Sequence, residues 1–376
     1  MDLSFSEMQE MIKRTAREFF EHECPNEVVR QAEQNERGYP PELWQKMAQQ
    51  GWMNMILPAQ YGGSDASFLD LCVLYEEMGR AMVPGPFLDV ALSEYLLLEL
   101  GSDAQKQQYL PQLGSGNLIM TVAYTEPSAS YEPGAIHLTA AQDGDSYLLN
   151  GTKLFVSNAH IADQLLVVAR TREAINKEEG LTVFLVDPKS AGLTNTLLQT
   201  IASDRQCELI FNNVRVPAGN MVGPLDGAWQ GIRKHLDKGK VLTCVWSVGG
   251  SEYVLEITVD YAKTRVQFGR PIGTFQAISH KCADIAIDTD GMRYVTYHAA
   301  WRLSEGLPAD QEIAVAKAWT ADAFRRVTAL GHQVHGGVGF MMEFDMQMYF
   351  RRAKAAEVAF GDADHHRELV AQGMGL

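Results

Sequence analysis

The first 118 residues carry apolar side chains at a spacing of three to four positions, which predicts a helical N-terminal region. Ser6 and Gln9 have the spacing of a capping box at the start of the first helix. The apolar positions expected on one face of that helix are Met8, Met11, Ile12, Ala16, Phe19 and Phe20. Further helical patterns run over residues 41–50, 68–81, 90–100 and 103–113.

The spacing of apolar residues changes to two between residues 119 and 224, which predicts a small β domain. Strand-like runs cover residues 165–169, 181–186 and 208–211, and the pairs Asp143-Gly144 and Asn150-Gly151 are expected to form turns. Helical spacing returns over residues 227–266, 275–304 and 308–334, with a weaker pattern after Glu343. The pattern therefore predicts an α+β fold with domains at residues 1–118, 119–224 and 225–376.

Composition narrows the class of protein. A length of 376 residues with 46% hydrophobic residues predicts a globular protein with sizeable cores. The net charge of -15 argues against binding to nucleic acid or to an anionic membrane surface, since both require clustered basic side chains. No uncharged apolar run of about eighteen residues occurs, and the opening Met1-Asp2-Leu3-Ser4 does not resemble a signal peptide. We therefore expect a cytoplasmic protein with no membrane span.

Cysteine spacing bears on metal binding. The five cysteines are far apart and form no C-x-x-C pair, which disfavours a zinc site and a disulfide framework. We expect them to be buried as small hydrophobic side chains, and we expect no metal site. These residues are Cys24, Cys72, Cys207, Cys244 and Cys282.

A candidate phosphate-binding residue, Arg265, lies at the end of the helical pattern over residues 227–266. Its guanidinium has a planar set of donors that matches a pair of phosphate oxygens, as in a nucleotide pyrophosphate. The alternative is a solvated arginine at a helix C-terminus, where cations are favoured. The first interpretation is favoured because the surrounding string resembles the Arg-x-Gln-Phe-Gly-x-Pro-Ile signature of acyl-CoA dehydrogenases. That string is Arg265-Val266-Gln267-Phe268-Gly269-Arg270-Pro271-Ile272, followed by Phe275-Gln276.

The resemblance to this family covers nearly all of the chain and implies its fold. Acyl-CoA dehydrogenases have an N-terminal helical domain, a small central β-barrel or sandwich domain and a C-terminal four-helix bundle. The helical, β and helical regions follow the same order here. The resemblance also implies that the cofactor is FAD.

Two strings in the β region imply contacts with the flavin ring of FAD. Tyr124-Thr125-Glu126-Pro127 resembles the family segment that covers the ring and donates hydrogen bonds to its polar edge, with Tyr124 and Thr125 as the candidates. Phe155-Val156-Ser157-Asn158 resembles a Trp-Ile-Thr-Asn string, so Phe155 would supply an aromatic face and Ser157 a donor. Between them, Ser128-Ala129-Ser130-Tyr131-Glu132 replaces the usual Gly-Ala-Gly-Ser-Asp, and Tyr131 is a candidate for substrate binding.

A third string, Gln333-Val334-His335-Gly336-Gly337, follows the last long helical pattern. In the family this segment holds the adenine half of an FAD that is bound mainly by another subunit. The resemblance therefore implies a homo- or hetero-oligomer, a dimer or tetramer, in which Arg265 and Gln333 reach the neighbour's cofactor. The FAD-binding candidates in this half of the chain are Arg265, Gln267, Phe268, Phe275, Gln276, Gln333, Val334, Gly336 and Gly337.

The carboxylate that the reaction requires is missing from both positions where the family carries it. Acyl-CoA dehydrogenation removes a proton from the α-carbon with a Glu or Asp, while a hydride leaves the β-carbon for the flavin. Phe360 stands where most relatives have the glutamate, and Gly239 stands at the position that a second branch uses. Asp362 is the nearest carboxylate and a candidate base, although it is also well placed to cap the last helix.

The remaining candidates concern the substrate and the partners. Asp237 and Lys240 match residues that contact the CoA pantetheine. The resemblance implies an FAD-dependent enzyme that dehydrogenates an acyl-CoA thioester and passes electrons to an electron-transfer flavoprotein.

The missing base leaves three alternatives for this chain. The first is a base-less subunit that completes a partner's flavin site, as in the heteromers that oxidise steroid side-chain thioesters. The second is a competent dehydrogenase that uses another carboxylate, such as Asp362. The third is a flavin oxidase of the nitroalkane type, which shares the fold.

Overall fold

The computed structural model describes residues 4–376, so Met1, Asp2 and Leu3 of the N-terminal opening lie outside the described residues. The chain forms two compact units. The first comprises residues 4–31, 67–83 and 240–376, and the second comprises residues 32–66 and 84–239. Across residues 4–376, no helix is both long enough and apolar enough to cross a bilayer.

The order of the elements is the one that the apolar spacing predicts: helices come first, strands next and helices last. The helices are α1 (Glu7–Glu23), α2 (Asn26–Gln34), α3 (Pro41–Gln49), α4 (Phe68–Arg80), α5 (Phe87–Leu100), α6 (Asp103–Gly114), α7 (Trp229–Thr264), α8 (Gln276–Ser304), α9 (Asp310–His335), α10 (Met346–Val358) and α11 (Ala363–Gly373). The strands are β1 (Met120–Ala123), β2 (Thr139–Asp143), β3 (Ser146–Ser157), β4 (Gln164–Arg170), β5 (Leu181–Val186), β6 (Leu193–Leu198), β7 (Gln206–Pro217), β8 (Met221–Val222), β9 (Val266–Gln267) and β10 (Arg270–Pro271).

The first unit is a helical assembly. Helices α8 and α9 pack along each other, α10 and α11 both pack on α9, and α1 packs on α4. The predicted capping box of α1 is confirmed, because the Ser6 hydroxyl accepts from the Gln9 amide and the Gln9 side chain accepts from the Ser6 amide. The weak pattern after Glu343 corresponds to α10 and α11, which a short segment over residues 359–362 connects.

Three carboxylates of the first unit, from Glu76, Glu77 and Glu252, have oxygens within 4.8 Å of one another. Arg293 donates to both Glu76 and Glu252 at 3.1 Å. Arg17 donates twice to Glu77 at 2.9 Å. The guanidinium groups occupy the lone pairs that a metal ion would need, so this cluster is an ion-pair network between helices.

The second unit is built around a mixed sheet with the strand order β6-β7-β3-β2-β4-β5-β8, and β1 pairs in parallel with β4. Strands β4 and β5 are almost entirely buried, which explains their continuous apolar sequences. The long strands β3 and β7 pair antiparallel. Helix α5 packs on β1, and Asp89 in the first turn of α5 lies close to Thr121 of β1.

One of the two predicted turns is wrong. Asp143-Gly144 does close the hairpin between β2 and β3. Asn150 and Gly151 instead lie inside β3, where the pairing with β7 is irregular. The Asn150 side chain accepts from the Asn213 amide at 2.8 Å, and Gly151 has a φ of 142°. An Asn-Gly pair suits a tight turn, but the same freedom at Gly151 allows a bulge within a strand.

The predicted burial pattern is correct in most places but not all. In α1, Ala16 and Phe20 are buried as expected, whereas Met8 is 61% and Met11 is 51% exposed. In that part of α1 the polar side chains of Gln9 and Lys13, rather than the methionines, contact α4. Four of the five cysteines are buried, and Cys282 is partly exposed.

Glu94 is a buried carboxyl group on α5. Its exposed fraction is 0%, and neither of its oxygens has a hydrogen-bond partner among residues 4–376. Burial raises the pKa of Glu94 well above that of a free glutamate, because the charged form loses its hydration. Burial therefore favours the protonated form of this side chain.

We expect Glu94→Gln to remove a pH-dependent loss of stability. A folded-state pKa above the unfolded value means that the folded protein retains a proton that the unfolded chain releases, so the wild-type free energy of unfolding falls as pH rises above about 4. The variant should therefore gain stability relative to wild type as the pH rises above about 4. Urea unfolding at several pH values measures this difference. Glu99→Gln, at an exposed position of the same helix, is the control, and a pH-independent difference for Glu94→Gln would contradict the prediction.

Candidate functional site

The segment that carries Tyr124 and Thr125 is held by a buried ion pair. The Lys153 ammonium, with an exposed fraction of 0%, donates to the Tyr124 carbonyl at 2.9 Å and to a Glu126 oxygen at 2.8 Å. Glu126 also accepts from the backbone N–H groups of His137 and Leu138, which directly precede β2. Burial lowers the pKa of Lys153 to about 8, and the Glu126 carboxylate opposes this shift. Within the described chain the Thr125 hydroxyl has no hydrogen-bond partner.

Phe155 and Ser157 lie at the end of β3, next to an irregularity in its pairing. Between Lys153 and Val156 the pairing with β7 shifts its register, and Phe155 has a φ of 57°. A left-handed conformation is uncommon for a bulky residue, and such strain recurs at functional sites. Phe155 is 47% exposed. The Ser157 hydroxyl also has no partner among the residues that the structure describes.

The two segments are neighbours within the second unit. The Leu154 N–H donates to the Thr125 carbonyl at 2.8 Å, one residue after the Lys153 contact to Tyr124. Two strings that are distant in sequence thus place two hydroxyl groups and an exposed aromatic ring on one part of this unit. The structure therefore brings the predicted flavin-ring residues of the β region together.

Tyr131 packs on Tyr124. Their rings are stacked with centroids 6.1 Å apart, and the Tyr124 hydroxyl donates to the Tyr131 carbonyl at 2.8 Å. Ala129 has a φ of 54°, so the loop keeps a left-handed residue where the family has glycines nearby. The substituted loop is thus anchored by aromatic packing. The participation of Tyr131 in substrate binding stays a prediction.

Arg265 directly follows α7, as predicted, and leads into a β-hairpin. Strands β9 and β10 pair around Phe268 and Gly269, whose φ values are 53° and 78°. Two positive φ values are typical of a type I′ turn. This turn leaves Phe268 91% exposed. The Arg265 side chain is exposed and forms no ion pair with any other described residue.

The helix ends that carry Arg265 and Gln333 are adjacent within the first unit. The Tyr261 ring in α7 and the His335 ring in α9 have centroids 4.6 Å apart. The Arg265 N–H donates to the Tyr261 carbonyl at 2.8 Å, and Gln333 lies two residues before His335. The Gln333 side chain is exposed. Two predicted cofactor segments therefore meet at one end of this unit.

Open space surrounds the glycines that follow α9. A Cβ atom added at Gly336 or Gly337 would meet no atom within 4 Å. Gly336 has φ 64° and ψ -141°, a conformation that is costly for any residue with a Cβ. Val334, also predicted to contact FAD, is only 5% exposed, so its side chain belongs to the core.

The segment at the predicted base position is firmly held. The Lys317 ammonium, 1% exposed, donates to the Gly361 carbonyl at 2.9 Å and to two carbonyls near the end of α10. The Nε2 atom of the buried His366 lies 2.9 Å from the Phe360 carbonyl. Burial lowers the pKa of His366 to about 3, so the ring is neutral and Nε2 carries the proton that it donates. The backbone is thus fixed where Phe360 offers no carboxylate.

Asp362 and Lys240 lie near this segment. The Asp362 carboxylate accepts from the His365 amide at 2.9 Å, which makes it the N-cap of α11. Burial lowers the pKa of both Lys317 and His366, and the charge of Lys240 adds to both shifts. Lys240 is therefore close to Lys317 and His366, which hold the segment over residues 359–362.

Asp237, the other predicted CoA contact, belongs to the second unit. Its side chain is 15% exposed, and its carboxylate lies 4.0 Å from the Arg233 guanidinium. Contact of Asp237 and Lys240 with CoA stays a prediction.

Family models match almost the whole chain. The acyl-CoA dehydrogenase N-terminal domain matches residues 6–117, its middle domain matches residues 121–214, and its C-terminal domain matches residues 227–375. The acryloyl-CoA reductase (NADH) of Anaerotignum propionicum is 32% identical over 99% of this chain and 95% of its own length. The chain belongs to the acyl-CoA dehydrogenase family.

Other relatives extend the comparison. Subunit CarC of the caffeyl-CoA reductase-Etf complex of Acetobacterium woodii is 30% identical and covers 99% of both chains. The butyryl-CoA dehydrogenase structure of Megasphaera elsdenii matches this acyl-CoA dehydrogenase with a TM-score of 0.91 at 28% identity, over 100% of both chains. A chain of the ChsE4-ChsE5 complex of Mycobacterium tuberculosis matches with a TM-score of 0.90 at 31% identity, over 100% of this chain and 99% of its own.

This acyl-CoA dehydrogenase is an FAD-dependent oxidoreductase, and its side chains fit the cofactor. FAD supplies the hydride acceptor for α,β-dehydrogenation of an acyl-CoA. The hydroxyls of Thr125 and Ser157 are available as donors, and the exposed Phe155 ring offers an aromatic face. Arg265 and the open glycines after α9 suit a phosphate group and close backbone approach.

Three residues that hold these segments in place were not predicted from the sequence. These are Lys153, Lys317 and His366, and all three are buried. One signal was present for Lys153. By the period of two along β3 it falls on the same face as the buried residues Tyr147 and Leu149, and an inward-facing lysine requires a partner.

Proposed function

We propose that this chain is an FAD-binding subunit of a heteromeric acyl-CoA dehydrogenase and lacks its own catalytic base. The observation that carries this proposal is the segment over residues 359–362. Its backbone is held by Lys317 and His366, but Phe360 cannot accept a proton, and Asp362 caps a helix. Loss of a general base typically costs about 10²- to 10⁴-fold in rate. A partner subunit with a carboxylate at this position would supply the base at its own flavin site, which this chain would complete.

The flavin site of the proposed heteromer includes residues of two subunits. Thr125, Phe155 and Ser157 would contact the ring of the FAD that this chain holds. Arg265 and Gln333, exposed at one end of the first unit, would reach the FAD of the neighbouring subunit. The ChsE4-ChsE5 structure supports the heteromer, because a chain of that two-component complex shares this fold.

The substrate in this proposal is an acyl-CoA thioester, and electrons pass to an electron-transfer flavoprotein. Relatives named for acryloyl-CoA and butyryl-CoA support the thioester. The CarC relative, a subunit of a reductase-Etf complex, supports the electron partner. Asp237 and Lys240 are the proposed contacts to CoA.

The test is to purify the chain without a partner, measure FAD per subunit, and mix the FAD-loaded protein anaerobically with acyl-CoA substrates of several sizes. We expect bound FAD but slow bleaching of its visible absorption. Rapid bleaching by the wild type would show that the chain has its own base. Loss of that rapid bleaching in Asp362→Asn would assign the base to Asp362, and oxygen consumption without an added acceptor would indicate an oxidase.

Arg265→Ala should weaken FAD binding. A charge-assisted hydrogen bond to a phosphate contributes about 1.5–3 kcal/mol, so FAD affinity should fall at least tenfold. Equilibrium dialysis of the oligomer with FAD measures this change. Lys263→Ala is the matched control, because it removes an exposed cation from the same helix end. Equal losses in the two variants would show that Arg265 acts only on the helix terminus.

A further inference from the structure

Asp89 is a carboxylate with contacts that its position in a helix does not require. It lies in the first turn of α5 and is partly exposed. Its Oδ2 atom accepts from the Asn158 side-chain amide at 2.7 Å, and its Oδ1 atom accepts from the Thr121 hydroxyl at 3.4 Å. Thr121 belongs to β1, and Asn158 directly follows β3. One side chain of α5 therefore joins two separate strand segments.

Both strand segments lead to a hydroxyl of the proposed flavin site. Strand β1 runs from Thr121 into the segment that carries Thr125, and Asn158 is the neighbour of Ser157. Asn158 has a φ of 53°, and its backbone N–H donates at 2.7 Å to the carbonyl just before β7. It thus forms the turn that ends β3, and its side chain points to Asp89.

We propose that Asp89 is a positioning residue for the edge of the flavin. By accepting hydrogen bonds from Asn158 and Thr121, it sets the distance between the segments that present Ser157 and Thr125. This inference rests on the proposed FAD site. A carboxylate in the first turn of a helix is favoured by the helix dipole alone. The helix dipole, however, does not explain why Asp89 also contacts Asn158, the residue that directly follows β3.

The ionised form of Asp89 makes this contact strong. Burial raises the pKa of Asp89 to about 6, the hydrogen bonds from Asn158 and Thr121 lower it, and the nearby Asp204 carboxylate raises it. The group is therefore mostly charged at neutral pH. Hydrogen bonds to a charged acceptor are shorter and stronger than neutral ones, which agrees with the 2.7 Å distance to Asn158.

The experiment is a double-mutant cycle on FAD affinity. Asp89→Ala removes the acceptor, and Asn158→Gly removes the donor while keeping a residue that tolerates positive φ. Each variant should raise the Kd for FAD about tenfold, as expected for one hydrogen bond to a charged group. The double variant should also show about a tenfold loss rather than a hundredfold one, since both changes break the same interaction. The visible absorption bands of the bound flavin should shift equally in all three proteins.

Two further variants separate positioning from general stability. Asp89→Asn retains an oxygen that accepts from Asn158 but loses the charge, so its loss of FAD affinity should be smaller than that of Asp89→Ala. Asp103→Ala removes an exposed carboxylate from the first turn of α6 and should leave FAD binding unchanged. If Asp89→Ala does not fold, Asn158→Asp replaces it, because two facing carboxylates should weaken FAD binding. Adding Asp89→Asn to Asn158→Asp should then restore binding through the reversed hydrogen bond.

The outcomes distinguish this inference from the proposed function. Wild-type FAD affinity and an unshifted flavin spectrum in folded Asp89→Ala would overturn the positioning assignment. Multiplying effects in the double variant, or failure of the reversed pair to restore binding, would also overturn it. If the wild type binds no FAD, or if Ser157→Ala leaves its affinity unchanged, the proposed site itself is wrong and Asp89 has no flavin edge to position.

Discussion

Phe360→Glu should increase the rate at which acyl-CoA substrates bleach the bound flavin by about 10²- to 10⁴-fold, because it restores a general base. The backbone is already in place, since Lys317 and His366 hold the carbonyls of residues 361 and 360. Phe360 is only partly buried, so a carboxylate there would keep some hydration. Its φ of 56° is no more strained for Glu than for Phe. Stopped-flow absorption under anaerobic conditions measures the rate.

The matched control is Phe360→Gln, which has nearly the same shape as Phe360→Glu but cannot accept the proton. Asp362→Asn provides a second control, because asparagine is also a good N-cap and should preserve α11. Equal bleaching by the Glu and Gln variants would show that residue 360 does not face the substrate α-carbon. If Phe360→Glu bleaches faster but loses this gain when Asp362→Asn is added, both carboxylates take part in removing the proton.

Lys153→Met should lower the free energy of unfolding by about 3–5 kcal/mol, because it leaves the Glu126 carboxylate buried without its cation. Lys153 is fully buried, and its ammonium also holds the Tyr124 carbonyl. The segment that carries Thr125 should therefore loosen, and FAD binding should weaken with it. Chemical denaturation monitored by fluorescence measures the stability, and FAD titration measures the binding.

A second variant also removes the Glu126 charge that Lys153→Met leaves unpaired. Adding Glu126→Gln to Lys153→Met should recover part of the lost stability, since a neutral amide is less costly to bury and its oxygen still accepts a backbone N–H. Lys177→Met, which breaks an exposed pair with Glu173, should leave stability nearly unchanged. A loss of stability in Lys153→Met no larger than in Lys177→Met would mean that the buried ion pair does not hold the segment that carries Thr125.

Much of the fold could be predicted from local patterns. The change from a period near 3.6 to a period of two, and back, correctly predicted the order of helices and strands. The capping box at Ser6 and the turn at Gly144 were also correct. Each of these features depends on residues within a few positions of one another. The Asn150-Gly151 turn was wrong because the same dipeptide fits a bulge, and only the pairing of β3 with β7 selects between the two.

The sequence alone determined the family signatures, the cofactor that they imply and the absence of a carboxylate at residues 239 and 360, because these depend only on residue identity and spacing. The tertiary structure decided what holds the site. Asp89 and Asn158 are 69 positions apart, Lys317 and Gly361 are 44 apart, and Glu126 and Lys153 are 27 apart. No local period encodes such pairings. They exist because buried charges and buried carbonyls must find partners, and only the folded chain brings those partners within hydrogen-bonding distance.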